Sequence, residues 1–174
     1  MLFMDTQEKR ERTATTIRRI NAAIAACLVI FFFVHAALGA LSEVTDHTSN
    51  LKWIVWIFAA LVVVHMSLTL ATSYYMVTDT VRPPSKAKIR HLALKWASGM
   101  LLLVLAFMHM LRIADLGIPL MITLLGVIAW HSFIGAKSLT RDLNLPRTIR
   151  TPLRVCVIAV AVAIAGIVIY GVIT

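Results

Sequence analysis

The chain has 174 residues, of which 60% are hydrophobic and only 14% carry a charge. This composition excludes an ordinary soluble domain and indicates a membrane protein. The formal net charge of +9 does not indicate a nucleic-acid partner, because the basic residues cluster at the ends of apolar segments, as they do in membrane proteins.

Five apolar segments are long enough to cross a hydrocarbon core about 30 Å thick, which takes roughly 20 helical residues. In chain order they run approximately over Ile20–Leu41, Trp53–Met76, Leu92–Ile113, Ile118–Ala136 and Val155–Ile173. Since lipid offers no hydrogen bonds to the backbone, the sequence predicts an all-α bundle of five transmembrane helices. Residues 1–19 are predicted to form a polar tail, and residues 20–174 the transmembrane domain.

The distribution of Lys and Arg predicts the orientation of the bundle. Five lie in the N-terminal tail, five between residues 82 and 95, and five between residues 137 and 154, whereas Lys52 and Arg112 are alone in the two other connections. Basic residues concentrate on the cytoplasmic side of membrane proteins. We therefore expect a multi-pass protein of the cell inner (cytoplasmic) membrane, with a cytoplasmic N-terminus and an outer C-terminus.

One histidine lies in each of the first four segments: His35, His65, His109 and His131. An ionisable side chain within a bilayer is costly and indicates a functional site. With a rise of about 1.5 Å per residue, His35 and His109 lie about 9 and 6 Å from the outer ends of their helices. His65 and His131 lie deeper, about 18 and 20 Å from the outer side. The depths predict two pairs, His35 with His109 and His65 with His131.

Two imidazoles on facing helices can supply the axial ligands of a haem iron, so the sequence predicts two b-type haems. Gly39 and Gly135 each stand four residues after a histidine, on the same helical face. A glycine at this position would let a flat macrocycle approach the backbone. His91, Lys95 and Trp96 lie near the cytoplasmic boundary and are candidates for binding the propionates of the inner haem.

These residues also allow other interpretations. The histidines could form hydrogen bonds between helices, or a zinc, copper or proton site, although no carboxylate or thiol accompanies them at the same depth. The basic residues near His91, above all Lys86 and Lys88, could instead anchor lipid headgroups.

Two stretches resemble the single-subunit, five-helix class of di-haem cytochrome b membrane anchors of succinate dehydrogenases and fumarate reductases. They are RHLALKWASGMLLLVLAFMHM, residues 90–110, and VIAWHSFIGAKSL, residues 127–139. The resemblance implies pairing of the first ligand with the third and of the second with the fourth. The ligand-bearing helices are the first four here, so the helix numbering is offset from that of the family.

The resemblance also implies partners and a substrate. An iron–sulfur subunit and a flavoprotein subunit would dock on the cytoplasmic face, and a menaquinone-type quinone would bind near the outer haem. The chain would carry electrons and would not itself act on a dicarboxylate. Glu43 is the candidate proton acceptor at the quinone site. Ala129 stands where family members that couple to transmembrane proton transfer carry a glutamate, which argues against that coupling.

Two alternative functions share part of this pattern. The cytochrome b subunit of a formate dehydrogenase or hydrogenase would use the same haem ligation with a different partner, commonly on the outer side. A haem-free transporter or assembly factor could use the histidines as a proton relay. The short outer loops argue against docking of an enzyme there.

Overall fold

The computed structural model describes the backbone of residues 2–45, 52–79, 83–111 and 117–173, and the side chains of residues 7–39, 56–79, 83–111 and 117–170. The helices are α1 (Leu2–Thr45), α2 (Lys52–Val77), α3 (Lys86–Met110), α4 (Gly117–Asp142) and α5 (Arg150–Ile173). A single 3-10 turn, Arg147–Ile149, precedes α5. All five helices are long and apolar enough to cross a membrane. The prediction of an all-α protein with five helices of membrane-spanning length and composition is confirmed, and these helices indicate a multi-pass membrane protein.

The first helix is much longer than its apolar segment. It begins at Leu2 instead of Ile20 and runs for 44 residues, which corresponds to about 66 Å of helix. No glycine or proline interrupts it before Gly39, and Glu8 and Arg12 form an ion pair of 2.6 Å one turn apart. The polar residues before Ile20 therefore continue the same helix, and α1 is longer than a hydrocarbon core is thick.

The third helix begins before its predicted start, and the fourth helix continues past its predicted end. At the start of α3, the Ser85 hydroxyl accepts a hydrogen bond from the Lys88 backbone N–H at 3.4 Å, so the helix begins at Lys86 and not at Leu92. The predicted shortest segment, α4, has 26 residues and continues through Lys137 to Asp142.

The end of α4 and the start of α5 are set by a compact turn. The backbone N–H of Leu145 donates to Thr140 O at 2.8 Å and that of Asn144 to Arg141 O at 3.0 Å, which is the Schellman pattern. Asn144 has a φ of 55°, in the left-handed region that this motif requires. Pro146 follows and cannot continue the helix.

The helices pack unevenly. Close backbone packing joins α1 to α2, α4 and α5, and α4 to α3 and α5. The buried core lies among α1, α4 and α5, where Leu125, Ile164 and Val168 contact Phe32, Phe33 and small alanines. Small residues let helices approach closely in a membrane protein. By contrast, none of the residues of α3 is buried.

Three side-chain contacts bring the basic segments to one end of the bundle. The Arg10 guanidinium donates to the Thr78 hydroxyl at 2.6 Å, which joins the first part of α1 to the end of α2. Lys95 of α3 donates to the Ser138 hydroxyl of α4. Arg150 at the start of α5 donates to a hydroxyl near the end of α4. We call this end, where α1, α3 and α5 begin, the basic end.

Substitutions at Asn144 test the geometry of the α4–α5 turn. Asn144→Val should lower the free energy of unfolding by about 1–2 kcal/mol, because a side chain branched at Cβ is strained in the left-handed region. Asn144→Gly should leave stability nearly unchanged. Both are measurable by reversible unfolding in mixed micelles, followed by tryptophan fluorescence. Equal losses for Val and Gly would show that the left-handed backbone is not what this position requires.

A candidate paired-histidine site

The first pair of histidines lies on α1 and α3. His35 and His109 lie within electrostatic range of each other, although close backbone packing does not join their helices in the described part of the chain. Both side chains are exposed in the isolated bundle. The structure therefore brings together the two histidines that the sequence places nearest the outer ends of their helices.

The second pair joins α2 and α4. His65 and His131 also lie within electrostatic range of each other, and both are half-buried. Lys95 of α3 lies near both rings. As in the first pair, close backbone packing does not join the two helices among the described residues. Instead, α2 packs closely against α1.

The helix neighbours explain why these two pairs form. Packing makes α1 a neighbour of α2 and α4, and α3 a neighbour of α4. The remaining side, between α2 and α3, is joined by the Trp96 indole N–H, which donates to the Ser73 hydroxyl at 3.1 Å. In this four-helix arrangement α1 lies opposite α3 and α2 lies opposite α4. Each histidine pair thus spans a diagonal of the bundle.

The two pairs lie at different levels. On α3, His109 is eleven residues from Ser98, whose hydroxyl contacts His131. Eleven helical residues correspond to about 16 Å along the axis. The His65–His131 pair is the one nearer the basic end, and we call it the inner pair. The His35–His109 pair is the outer pair.

A hydrogen-bond chain fixes the ring of His131. The Ser98 Oγ lies 2.9 Å from His131 Nδ1 and donates its hydrogen to the Lys95 carbonyl oxygen at 3.1 Å. A hydroxyl has a single hydrogen, so a Ser98 hydroxyl that donates to this carbonyl accepts from the Nδ1–H of His131. The tautomer of His131 that carries its proton on Nδ1 satisfies both contacts, and in it the lone pair of Nε2 is available to a metal.

His65 differs from its partner. Its Nδ1 is buried and has no hydrogen-bond partner in the described structure. A buried polar atom without a partner costs about 1–3 kcal/mol. The protein therefore fixes one ring of the inner pair firmly and leaves the other ring with unmet hydrogen-bonding capacity.

Gly99, which no sequence pattern singles out, lies against the inner pair. A Cβ atom added at Gly99 would lie 3.3 Å from His131 Cε1, so a larger residue would displace the ring or α3. A Cβ at Gly39 or Gly135 would meet no atom within 4 Å. The two predicted glycines thus border open space, while Gly99 provides the close approach of α3 to a histidine.

The predicted propionate-binding residues gather on α3 near the basic end. His91 is half-buried and lies within electrostatic range of Lys95, Lys137 and Arg141. Lys95 donates to Ser138, and the Trp96 indole donates to α2. The structure therefore gives Lys95 and Trp96 an additional role, which is to tie α3 to its two neighbours. Their role towards a propionate stays a prediction.

The candidate proton acceptor lies at the opposite end. Glu43 belongs to the last turn of α1, but its side chain is outside the described residues. Asp46 and His47, in the connection that follows, are also outside them. The role predicted for Glu43 thus stays a prediction.

The comparisons with known proteins add no assignment: no protein-family model, no curated protein and no solved structure matches the chain. Within the described residues, no three side chains of His, Cys, Asp or Glu come together as a metal-binding group. The four histidines of α1 to α4 instead lie in two pairs.

Two serines allow a direct test of the bond to His131. Ser98→Ala should lower the free energy of unfolding by about 1–3 kcal/mol, because it leaves Nδ1 unpaired inside the bundle. Ser67→Ala is the matched control, since the Ser67 hydroxyl also donates to a carbonyl of its own helix, Val63 O at 2.9 Å, and is exposed. Unfolding by denaturing detergent measures both. Equal effects would show that the contact with His131 contributes nothing.

Proposed function

We propose that the chain is a di-haem cytochrome b that anchors a succinate dehydrogenase- or fumarate reductase-type complex in the membrane. The observation that supports this best is the pairing of four histidines across the two diagonals of one helix bundle, at levels about 16 Å apart. A haem iron takes two axial imidazoles from facing helices. Zinc sites usually take four ligands, and at least three from the protein.

The residues of the inner pair fit an axial-ligand role. His131 is held by Ser98 through Nδ1, which leaves Nε2 for an iron, and ligating histidines usually donate their other N–H in this way. In both pairs the two histidines lie on helices that close backbone packing does not join in the described residues, as expected of helices that hold a group between them. When bound, a haem accepts and releases one electron without a change of ligands.

The chain's own residues would orient the histidine ligands of this site and supply positive charge beside them. Ser98 fixes the tautomer and ring position of His131, and Gly99 permits the close approach of α3. Lys95 lies near both inner rings and supplies a positive charge there. With His91, it is suited to bind propionates at the basic end.

The rest of the proposal follows the resemblance of residues 90–110 and 127–139 to the anchor family. We propose that an iron–sulfur subunit and a flavoprotein subunit dock at the basic end, which would face the cytoplasm because it carries most of the Lys and Arg. A menaquinone-type quinone would bind near the outer pair, where Glu43 would accept a proton. The inner and outer pairs would then form an electron path between partner and quinone.

The haem content of the purified protein tests the ligand assignment. The wild-type chain should bind two b-type haems, quantified as pyridine haemochrome per chain. His131→Ala should remove only the inner haem and His35→Ala only the outer one, so each ratio should fall to one. The control is His47→Ala, because His47 is not one of the four paired histidines. This variant should keep both haems. A ratio of two in all three variants would refute the assignment.

A second measurement tests the role of Ser98 as a positioning residue. A hydrogen bond from Nδ1–H makes an imidazole a stronger donor to ferric iron, so Ser98→Ala should raise the midpoint potential of the inner haem. The outer haem, and both haems of Ser67→Ala, should keep their potentials. Redox titration followed at the reduced α-band measures this. An unchanged inner potential in a chain that binds two haems would contradict the role of Ser98 but not the haem assignment.

A further inference from the structure

The connection between α4 and α5 forms a basic cavity at the basic end of the bundle. Its volume is about 380 Å³, and it is lined by Lys137, Arg141, Asn144, Leu145, Arg147 and Arg150. Four of these six residues are cationic, and they come from the last turns of α4, the 3-10 turn and the start of α5. We call this feature the basic cavity.

The shape of the basic cavity is fixed by buried contacts. Thr140 is fully buried, and its hydroxyl donates to Ala136 O at 2.9 Å and accepts from Arg150 Nε at 3.2 Å. The Schellman turn at Asn144 fixes the backbone on the other side. Its cations are therefore presented by an ordered turn rather than by a free tail.

The positive charge of the cavity is only partly compensated. Asp142 forms an ion pair with Arg141, with Oδ1 2.8 Å from Nε. Among the residues that the structure describes, no carboxylate is bonded to Lys137, Arg147 or Arg150. A smaller cavity at the same turn is lined by Asp142 and Arg19 of α1, which adds a further cation nearby. Such a cluster favours an anion with several oxygen acceptors, such as a phosphate.

The surroundings of the cavity indicate that this phosphate belongs to a lipid. Leu145 and Ile149 are 37% and 41% exposed beside the cations, and Val155 is 61% exposed on the apolar part of α5 that follows. A free phosphate gains nothing from apolar neighbours, whereas a phospholipid has acyl chains to place against them. Basic pockets beside transmembrane helices are suited to lipid headgroups.

We propose that the basic cavity binds the phosphate of an anionic phospholipid, whose acyl chains lie along the exposed apolar surface of α5. This site is separate from the paired histidines and does not depend on the haem proposal. Its consequence is that one lipid molecule bridges α4, the 3-10 turn and α5 at the basic end. An acidic surface of a partner protein would also be attracted to these cations, but it would not bury the apolar residues beside them.

Lipid titration of the purified protein tests the proposal. Native mass spectrometry in detergent would measure the fraction of chains that carry one phosphatidylglycerol molecule. Lys137→Gln with Arg147→Gln should weaken this binding roughly twentyfold, because two cations next to the phosphate are lost. Lys9→Gln with Arg12→Gln removes the same number of charges from exposed positions on α1 outside the cavity, and should change binding by less than about twofold.

Competition experiments distinguish the source of the phosphate. Phosphatidylcholine should bind much more weakly than phosphatidylglycerol, and free glycerol phosphate should not displace the lipid at equal concentration. Equal loss of binding in the cavity and control variants would overturn the proposal, as would equal binding of phosphatidylcholine or displacement by glycerol phosphate. Loss of a co-purifying soluble protein with unchanged lipid binding would assign the cavity to that partner instead. If the double variant does not fold, Arg147→Glu, at an exposed position, should give the same loss.

Discussion

An imidazole nitrogen inside an apolar helix bundle is costly when it has no partner, because no water is at hand to pair with it. The arrangement of α3 provides such a partner for His131. The Ser98 hydroxyl is in hydrogen-bond contact with its Nδ1, Gly99 allows the approach, and Lys95 donates to α4 close by. These contacts hold α3 on α4 although α3 contributes no buried residue to the bundle. With its proton on Nδ1, His131 has the lone pair of Nε2 available for the proposed axial ligation.

Two regions of the bundle are held together by different interactions. Apolar packing among α1, α4 and α5 forms the core, with Leu125, Ile164 and Val168 buried at its centre. The α2–α3 side depends on polar side chains, above all the Trp96–Ser73 hydrogen bond. The packed helices α1 and α4 carry His35 and His131, while the side held by polar contacts carries His65 and His109. This division is what a bundle needs if it is to hold a planar group within it.

Much of the fold could be predicted from the sequence because apolar length and the absence of backbone partners in lipid leave few alternatives. The depths of the four histidines predict the same two pairs that lie within electrostatic range in the structure, and their role as ligands stays a prediction. The length of α1 was missed, since charged residues such as Glu8 and Arg12 resemble a tail unless their helical spacing is noticed. Ser98 and Gly99 were missed for a different reason. A Ser-Gly pair in an apolar helix is common, and only the packing of α3 against α4 shows that both contact His131.

If each histidine pair supplies both axial ligands of one iron, the spin state of that iron reports it directly. Low-temperature electron paramagnetic resonance of the oxidised, purified protein should show two low-spin ferric signals of the bis-imidazole type per chain and no high-spin ferric haem. High-spin haem as the main species would contradict the account, because it would mean that at least one histidine of each pair is not a ligand. A folded five-helix chain without haem, purified from cells that make haem, would contradict it as well.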